Sequence, residues 1–552
     1  GGIWVNRNIP FNDNINMIEM QNINTGYAAG NNGMIIKSVG NYAGVDLKYM
    51  NANTISTIYR SDGGFNVIKE GGTSPGFEWP KGSGKHARYA SGLWIGALVN
   101  GVPRVTTAAY DNEYYPGYTN SSSVPQGRND SNYHIYNMNL GSAGTDRQFW
   151  PNSLLGNSDQ GAPVYFDTLT GTWKPLDFGS QTMFYSYTDS YPESHNNLIN
   201  GGGSTPLNAD VKQLNFSLDV PGVLGNVIFS QYTIINRSSS VWHDAYFTMW
   251  SDDDLGESFD DMVGCDSALG LGYTYNGTNN DPVYGIAVPA VGFVMLKGAY
   301  LFTGNVNDTV HFCRNKTRVS MNRYRDLGMS VFNFAVNGNP YFHDPEDPEQ
   351  SYNLLKGLHT NGSPILHPEG FVTTLPYSGD PVTQTGWNAS DVDDYRMYVS
   401  TGPVDLNPGD TQVIVTAQVI ALGTSYLNSI TELRLYAAEL REFYNSCYTS
   451  TVIGIENQSS LLSSFNLRQN YPNPFNPSTV IKYDIPHESR VNIRIFDVTG
   501  REVYKVTELR KAGSYEVLFD GSKLASGVYF YSMEAIDNRG VYTDTKKMVL
   551  LK

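Results

Sequence analysis

Short hydrophobic runs, each broken by Gly, Pro, Asn or Asp, dominate the chain from about residue 46 to 425. Residues 92–99 and 227–235 are such runs, and hydrophobic and polar side chains alternate at 213–218. A period of two predicts β-strands, and strands separated by regularly spaced turns predict β-sandwiches. We therefore predict an all-β protein built from tandem antiparallel β-sandwich domains, immunoglobulin-like or jelly-roll-like.

One segment departs from the strand pattern. Between Tyr426 and Tyr444, hydrophobic residues recur every three or four positions, which places them on one face of an α-helix. Ser429 followed by Glu432 has the spacing of a capping box. We expect this helix to lie on a sheet and close a core. The alternative is a partner helix in a coiled coil.

We predict domain boundaries where the pattern of hydrophobic and polar residues changes. Several domains are expected because the chain is longer than one hydrophobic core usually supports. The predicted segments are a β-hairpin arm at 1–45, β-sandwich domains at 46–205 and 206–446, a polar linker at 447–468 and a small β-sandwich at 469–552. Within the arm, residues 24–38 resemble one blade of a propeller related to photosystem II assembly factors. A single blade cannot bury its own faces, so we predict an arm and not a propeller.

Charge separates the last segment from the rest. The chain has a formal net charge of -16, whereas residues 470–552 hold 12 basic and 10 acidic residues, which leaves -18 on the remainder. An acidic surface repels phosphates, so we expect no nucleic-acid partner. With 40% hydrophobic and 13% aromatic residues, the chain can bury cores and is not disordered. We also expect no transmembrane segment, because no apolar run is long enough.

Three cysteines are widely spaced, which excludes a structural zinc site of the CxxC type. We predict one disulfide, Cys265–Cys313, with Cys447 left as a thiol. A disulfide fits the oxidising exterior of a cell. The opening Gly1-Gly2-Ile3, without an initiator Met, is expected of a mature secreted chain.

The tail carries several motifs in a fixed order: NYPNPFNPST at 470–479, FDVTGREV at 496–503, LASGVYFY at 524–531 and a basic, apolar end. They closely resemble the C-terminal (type A) sorting domain of cargo proteins of the type IX secretion system. The resemblance implies the secretion machinery as a partner, and export to the outer surface of a Bacteroidota- or Ignavibacteria-like cell. The body is similar to uncharacterised exported surface proteins with the same tail, which implies no activity.

An acidic loop is the best candidate for a site. Seven carboxylates lie between positions 252 and 266, beside Gly256 and Gly264. Such a loop suits Ca²⁺, which takes six to eight oxygen ligands in flexible geometry. The predicted ligands are Asp252, Asp254, Asp260 and Asp261. A solvated acidic loop and catalytic carboxylates remain alternatives, and a second cluster, Asp391, Asp393 and Asp394, is expected to be solvated.

No motif for nucleophilic, metal-dependent or nucleotide chemistry stands out, so we expect no enzyme. The leading hypothesis is a self-assembling filament, sheath or surface-layer subunit stabilised by calcium. Alternatives are an adhesin that binds surface polysaccharide and an extracellular hydrolase. The tryptophans could be sugar platforms, but in sandwiches they more often anchor the core. They are Trp79, Trp94, Trp150, Trp173, Trp242, Trp250 and Trp387.

Overall fold

The computed structural model describes residues 45–449 except 70–72, 196–200 and 287, and residues 465–551 except 471, 486–488, 511–512 and 538–539; before residue 45 it describes three strands. The chain divides into two compact units, a body that ends near residue 453 and a C-terminal unit that begins near residue 454. The protein is mostly antiparallel β-sheet with three α-helices in the described residues, which confirms the all-β prediction.

The first sheet of the body has eight strands. In spatial order they are Val331–Val336, Tyr395–Leu406, Trp242–Asp252, Ala90–Val99, Gly64–Phe65, Thr57–Arg60 and Leu47–Met50, with Val102–Thr106 also pairing with Ala90–Val99.

The second sheet of the body has nine strands. In spatial order they are Tyr115–Pro116, Gln181–Thr188, Ala209–Ser217, Val227–Asn236, Thr411–Ala421, Ala290–Lys297, Leu271–Asn276 and Asp261–Asp266, with Tyr136–Asn139 also pairing with Gln181–Thr188.

Both sheets take strands from either side of residue 205, so the predicted division into domains 46–205 and 206–446 is wrong. Gln181–Thr188 pairs along its whole length with Ala209–Ser217, and Ala90–Val99 pairs with Trp242–Asp252. A single core lies between the sheets and includes Ile95 of the first and Phe293 of the second. Sequence periodicity predicts strands but not their partners, and here the partners are distant in the chain.

Helices cover the outer faces of the two sheets. Pro348–Leu355 packs on the first sheet, where its Leu354 and Leu355 join Trp94 and Trp250 in a second core. Tyr426–Asn445 packs on the second sheet through Ile430, Leu433, Ala437 and Leu440. The third helix, Thr145–Gln148, is a single turn.

The long helix confirms the prediction for 426–444, but its N-cap is different. The cap is Ser425, whose hydroxyl accepts a hydrogen bond from Asn428 N at 3.1 Å. Ser429 instead donates to the carbonyl of Val288 at 2.7 Å, so it ties the helix to the sheet. Because the apolar face of the helix is buried in its own body, it is not offered to a coiled-coil partner.

Short two-stranded antiparallel sheets lie outside the two main sheets of the body. Their paired strands are Val67–Ile68 with Ser74–Pro75, Phe77–Glu78 with His86–Arg88, Tyr118–Thr119 with Pro125–Gln126, Val164–Asp167 with Thr172–Pro175, Asn280–Asp281 with Gly285–Ile286, Tyr300–Phe302 with Tyr324–Asp326, and Thr309–Arg314 with Thr317–Asn322. In the arm, Ile15–Asn22, Thr25–Gly30 and Ile35–Val39 form a three-stranded antiparallel sheet, one strand more than a hairpin.

The C-terminal unit is a small sandwich of its own. One sheet orders Asn466–Leu467, Ser478–Ile485 and Gly513–Asp520, and the other orders Glu502–Arg510, Ser489–Asp497, Gly527–Asp537 and Gly540–Leu550. Its core includes Ile481, Ile493, Tyr531 and Met548.

Residues 470–479, the opening motif of this unit, make contacts that hold the start of the unit in place. Asn470 is buried, and its amide side chain donates to Pro472 O and to the Thr479 hydroxyl, both at 3.0 Å. Phe475 is buried in the core and its backbone N donates to Val549 O at 2.9 Å. The motif therefore fastens the start of the unit to its last strand.

The disulfide joins Cys313 to Cys447, and Cys265 is a buried thiol, so the predicted Cys265–Cys313 pairing is wrong. Cys265 lies on the strand Asp261–Asp266 at the edge of the second sheet, whereas Cys313 lies on a hairpin beside the end of the long helix. Tyr448 is buried as well, so the body extends past the predicted start of the linker at 447. Most of the predicted linker, residues 450–464, lies outside the described residues.

Candidate functional site

Three carboxylates meet where two neighbouring inner strands of the first sheet end and begin. Asp252 ends the strand Trp242–Asp252, and Asp394 immediately precedes the strand Tyr395–Leu406. The two strands are antiparallel, and Asp252 is the ladder partner of Arg396. This register brings Asp254, two residues beyond the strand, next to Asp394.

The geometry of the cluster is compact. One oxygen from each of Asp252, Asp254 and Asp394 lies within 4.8 Å of the other two. The Arg396 guanidinium is shared: its Nε is 3.4 Å from Asp252 and its Nη1 is 3.0 Å from Asp394. Tyr110 donates its hydroxyl to Asp252 Oδ2 at 2.5 Å. We call Asp252, Asp254 and Asp394 the carboxylate cluster.

Negative charge in the cluster exceeds positive charge. Burial raises the pKa of Asp252 to about 7, although Arg396 opposes the rise. Burial, together with the charges of Asp252 and Asp394, raises the pKa of Asp254 to about 8. Burial also raises the pKa of Asp394. The site therefore stabilises extra positive charge, which protons or a metal cation can supply.

Unsatisfied oxygens point to a cation. Asp394 Oδ1 is buried and accepts no hydrogen bond from any residue that the structure describes. Asp252 is only 4% exposed, and its Oδ1 is paired with Arg396 Nε at 3.4 Å but likewise accepts no hydrogen bond from the described residues. A buried acceptor without a partner is costly, and a metal ion would satisfy it. A set of carboxylate oxygens without Cys or His suits a hard cation such as Ca²⁺ or Mg²⁺.

The other two predicted ligands lie elsewhere. Asp260 accepts a hydrogen bond from Asn276 at 2.7 Å, and Asp261 is buried and accepts one from Leu255 N at 3.0 Å. Neither belongs to the carboxylate cluster. Asp253, between the two cluster members, does not join the cluster and instead forms a fully buried ion pair with Arg88 at 3.1 Å.

Asp394 is the cluster member that the prediction missed, since we expected Asp391, Asp393 and Asp394 to be solvated. Its proximity to Asp252 depends on which strands pair, and no local pattern indicates a pairing across 142 positions. One usable signal is the motif Asp393-Asp394-Tyr395-Arg396, where acidic residues open a strand whose second residue is basic.

Most tryptophans are core anchors. Trp79, Trp94, Trp150, Trp242 and Trp250 are buried, and Trp94 stacks on Trp250 with ring centroids 5.6 Å apart. Trp387 is half-buried, and Trp173 is 41% exposed.

Comparison with known families identifies the C-terminal unit. Residues 469–550 match the family described as a secretion system C-terminal sorting domain. The C-terminal unit is a sorting domain of this family, which supports the predicted type IX secretion cargo. The sorting domain indicates that the chain is secreted or displayed at the cell surface. No helix in the described ranges has both the length and the apolar composition to cross a membrane. No curated protein matches the cargo.

Solved structures show weak similarity. A polysaccharide lyase, BACCELL_00875, has 6% identity and a TM-score of 0.19 over 62% of this chain and 34% of its own. Dimeric latent PorU from Porphyromonas gingivalis has 10% identity and a TM-score of 0.16, with 94% and 36% covered. PorZ from the same organism has 11% identity and a TM-score of 0.14, with 96% and 68% covered. The cargo spans about a third of the first two, and similarity this low carries no functional argument.

Proposed function

We propose that this cargo is a structural component of the cell surface, and that its body is stabilised by Ca²⁺ bound to Asp252, Asp254 and Asp394. The observation that carries the proposal is the approach of three carboxylate oxygens to within 4.8 Å of one another. Ligand oxygens around Ca²⁺ lie about 2.3–2.6 Å from the ion, so three of them can share one ion at this separation.

The cation would join two strands at their ends. Asp252 and Asp254 belong to one strand and the loop after it, and Asp394 to the approach to the next strand. An ion that binds only the folded body adds about 2.7 kcal/mol of stability at a concentration 100 times its dissociation constant. Millimolar Ca²⁺ outside a cell would therefore hold the ends of these two strands in their folded register.

Self-association is the second element of the proposal. An exposed row crosses the outer face of the four-stranded sheet in the sorting domain, through the ladder partners Leu509, Arg490, Ile536 and Val541. Exposed apolar side chains in a contiguous row favour contact with another protein surface. Arg490, the basic residue within the row, is complementary in charge to the acidic body of a second copy. Contact between copies of the chain supports a filament, sheath or surface-layer subunit.

Light scattering on the full-length cargo tests both elements. We expect assemblies in millimolar CaCl₂ that dissociate in EDTA, and no calcium response in the combined variant Asp252→Asn, Asp254→Asn, Asp394→Asn. Asp260→Asn is the matched control, because it alters a nearby carboxylate outside the cluster, and it should respond as the wild type does. A monomer that is indifferent to calcium would contradict the proposal.

A further inference from the structure

A groove lies on the body away from the carboxylate cluster, between a short hairpin and the turn that joins two long strands. Its volume is about 720 Å³. One wall is the hairpin of Tyr300–Phe302 and Tyr324–Asp326, and the other is residues 403–412. This volume falls within the range of about 300–1,000 Å³ that is usual for small-ligand sites.

Aromatic side chains form the first wall. Tyr300, Phe302 and Tyr324 line the groove, and the ring of Tyr324 contacts both others edge-on, at centroid distances of 5.9 and 5.2 Å. Phe302 is 61% exposed although it is wholly apolar. The rings are inclined to one another, by 69° and 61°, so each offers its own apolar face; we call the three rings the aromatic platform.

Hydrogen bonds fix this platform in place. The Gln412 side chain accepts from Tyr300 N at 3.0 Å and donates to Tyr300 O at 2.9 Å. The Tyr300 hydroxyl donates to Thr411 O at 2.8 Å. The hairpin is therefore fastened to a central strand of the second sheet, and the platform is preorganised.

Carboxylates line the opposite wall: Asp244, Asp405 and Asp410. Asp244 sits in a bulge of its strand, with a φ of 46°. Its backbone N donates to Asp405 Oδ1 at 3.0 Å, and His243 Nδ1 lies 3.2 Å from Asp405 Oδ2. Asp410 is oriented by Asn407 N at 2.8 Å. Oriented carboxylates are strong acceptors for hydroxyl donors.

The charge of the groove limits the ligand. Among the described residues that line it, none is Lys or Arg, and three are Asp. Lys297 is buried behind the platform, with its Nζ 4.3 Å from the centroid of Tyr300, and does not line the groove. An anionic ligand, such as a uronate or a sulfated sugar, would meet repulsion without a compensating charge.

We propose that this groove binds a neutral oligosaccharide. Its sugar rings stack on Phe302 and Tyr324, and its hydroxyls donate hydrogen bonds to the carboxylates of Asp405 and Asp410. A sugar ring has an apolar face of C–H groups and an equatorial rim of hydroxyls, so it matches a wall of each kind. The site does not depend on the carboxylate cluster, and binding is expected with or without calcium.

Calorimetric titration of the full-length cargo tests the groove. The probes are neutral hexasaccharides of glucose, xylose and mannose, with hexagalacturonate and hexalysine as charged probes. We expect at least one neutral probe to bind. Phe302→Ala should weaken that binding on the order of tenfold, because it removes the most exposed stacking surface. Phe302→Trp should retain it.

The matched control is Phe259→Ala, since Phe259 is 64% exposed and lies outside the groove. It should leave binding within about twofold, which is close to the error of such comparisons. The proposal is overturned if no neutral probe binds, if Phe302→Ala binds as the wild type does, or if only a charged probe binds. Repeating the titrations in EDTA separates this outcome from failure of the calcium proposal.

Discussion

The body and the sorting domain are both antiparallel sandwiches, yet they place their charges differently. In the body, Arg88 and Asp253 form an ion pair with neither side chain exposed, and Lys297 is buried as well. In the sorting domain, ion pairs lie at the surface, as in Arg501–Asp497, where the Arg501 side chain is 75% exposed. The buried charges of the body thus pair with residues that are distant in the chain and meet only in the folded protein. The sorting domain is stabilised instead by an apolar core and by turns between residues close in the chain.

The largest expected effect comes from breaking the buried pair. Arg88→Ala leaves the Asp253 carboxyl buried without its cationic partner and removes the stacking of Arg88 over Phe293, 4.0 Å away. We expect the body to lose about 3–5 kcal/mol of unfolding free energy. Tryptophan fluorescence during urea unfolding measures this specifically, because all eight tryptophans precede residue 388.

The control is Glu193→Gln, which removes a surface partner of Arg128 in the same body. It should cost less than about 1 kcal/mol. Equal losses from the two variants would show that burial does not distinguish these ion pairs, and would contradict the comparison.

The second effect concerns the disulfide, which closes a loop of 134 residues within the body. Replacing both Cys313 and Cys447 with Ser should cost about 2–4 kcal/mol, because the unfolded chain regains the freedom of that loop. Urea unfolding without reductant measures the loss. Wild type in reductant should match the variant, and Cys265→Ala should keep its response to reductant. Loss of the reductant effect in Cys265→Ala would show that Cys265 takes part in the disulfide and would contradict this expectation.

Lys297 provides a smaller, pH-dependent effect. Burial lowers its pKa from 10.5 to about 8, so between pH 8 and 10.5 the unfolded chain binds more protons than the folded body. Stability from this group therefore rises with pH in that window, by about 1 kcal/mol per pH unit.

Lys297→Met lacks this dependence. The stability of wild type relative to the variant should rise from pH 8 to pH 10, as measured by urea unfolding at each pH. Lys81→Met, at an exposed position, should follow the wild type. A constant difference between wild type and Lys297→Met would show that Lys297 does not titrate within the window.

The sequence predicts the structure of the sorting domain more completely than that of the body. The sorting domain follows from its motifs, since Asn470 and Phe475 act within a unit whose strands are close in the chain. In the body, strands and the long helix follow from periodicity, but the sheet order does not, because contacts such as Asn66 to Gln418 span 352 positions. Asp252 and Asp254 were predicted as site residues because acidic residues are dense there. Asp394 and Arg396 join them only through strand pairing, and Cys447 reaches Cys313 only through the packing of the long helix, which ends just before it.

The most direct test of the calcium proposal is a calorimetric titration of Ca²⁺ into the chelator-treated, full-length cargo. The account predicts one ion bound per chain, with a raised unfolding temperature in the tryptophan signal, and loss of both when Asp252, Asp254 and Asp394 are replaced by Asn. Absence of binding, or binding that survives this triple replacement, would contradict it.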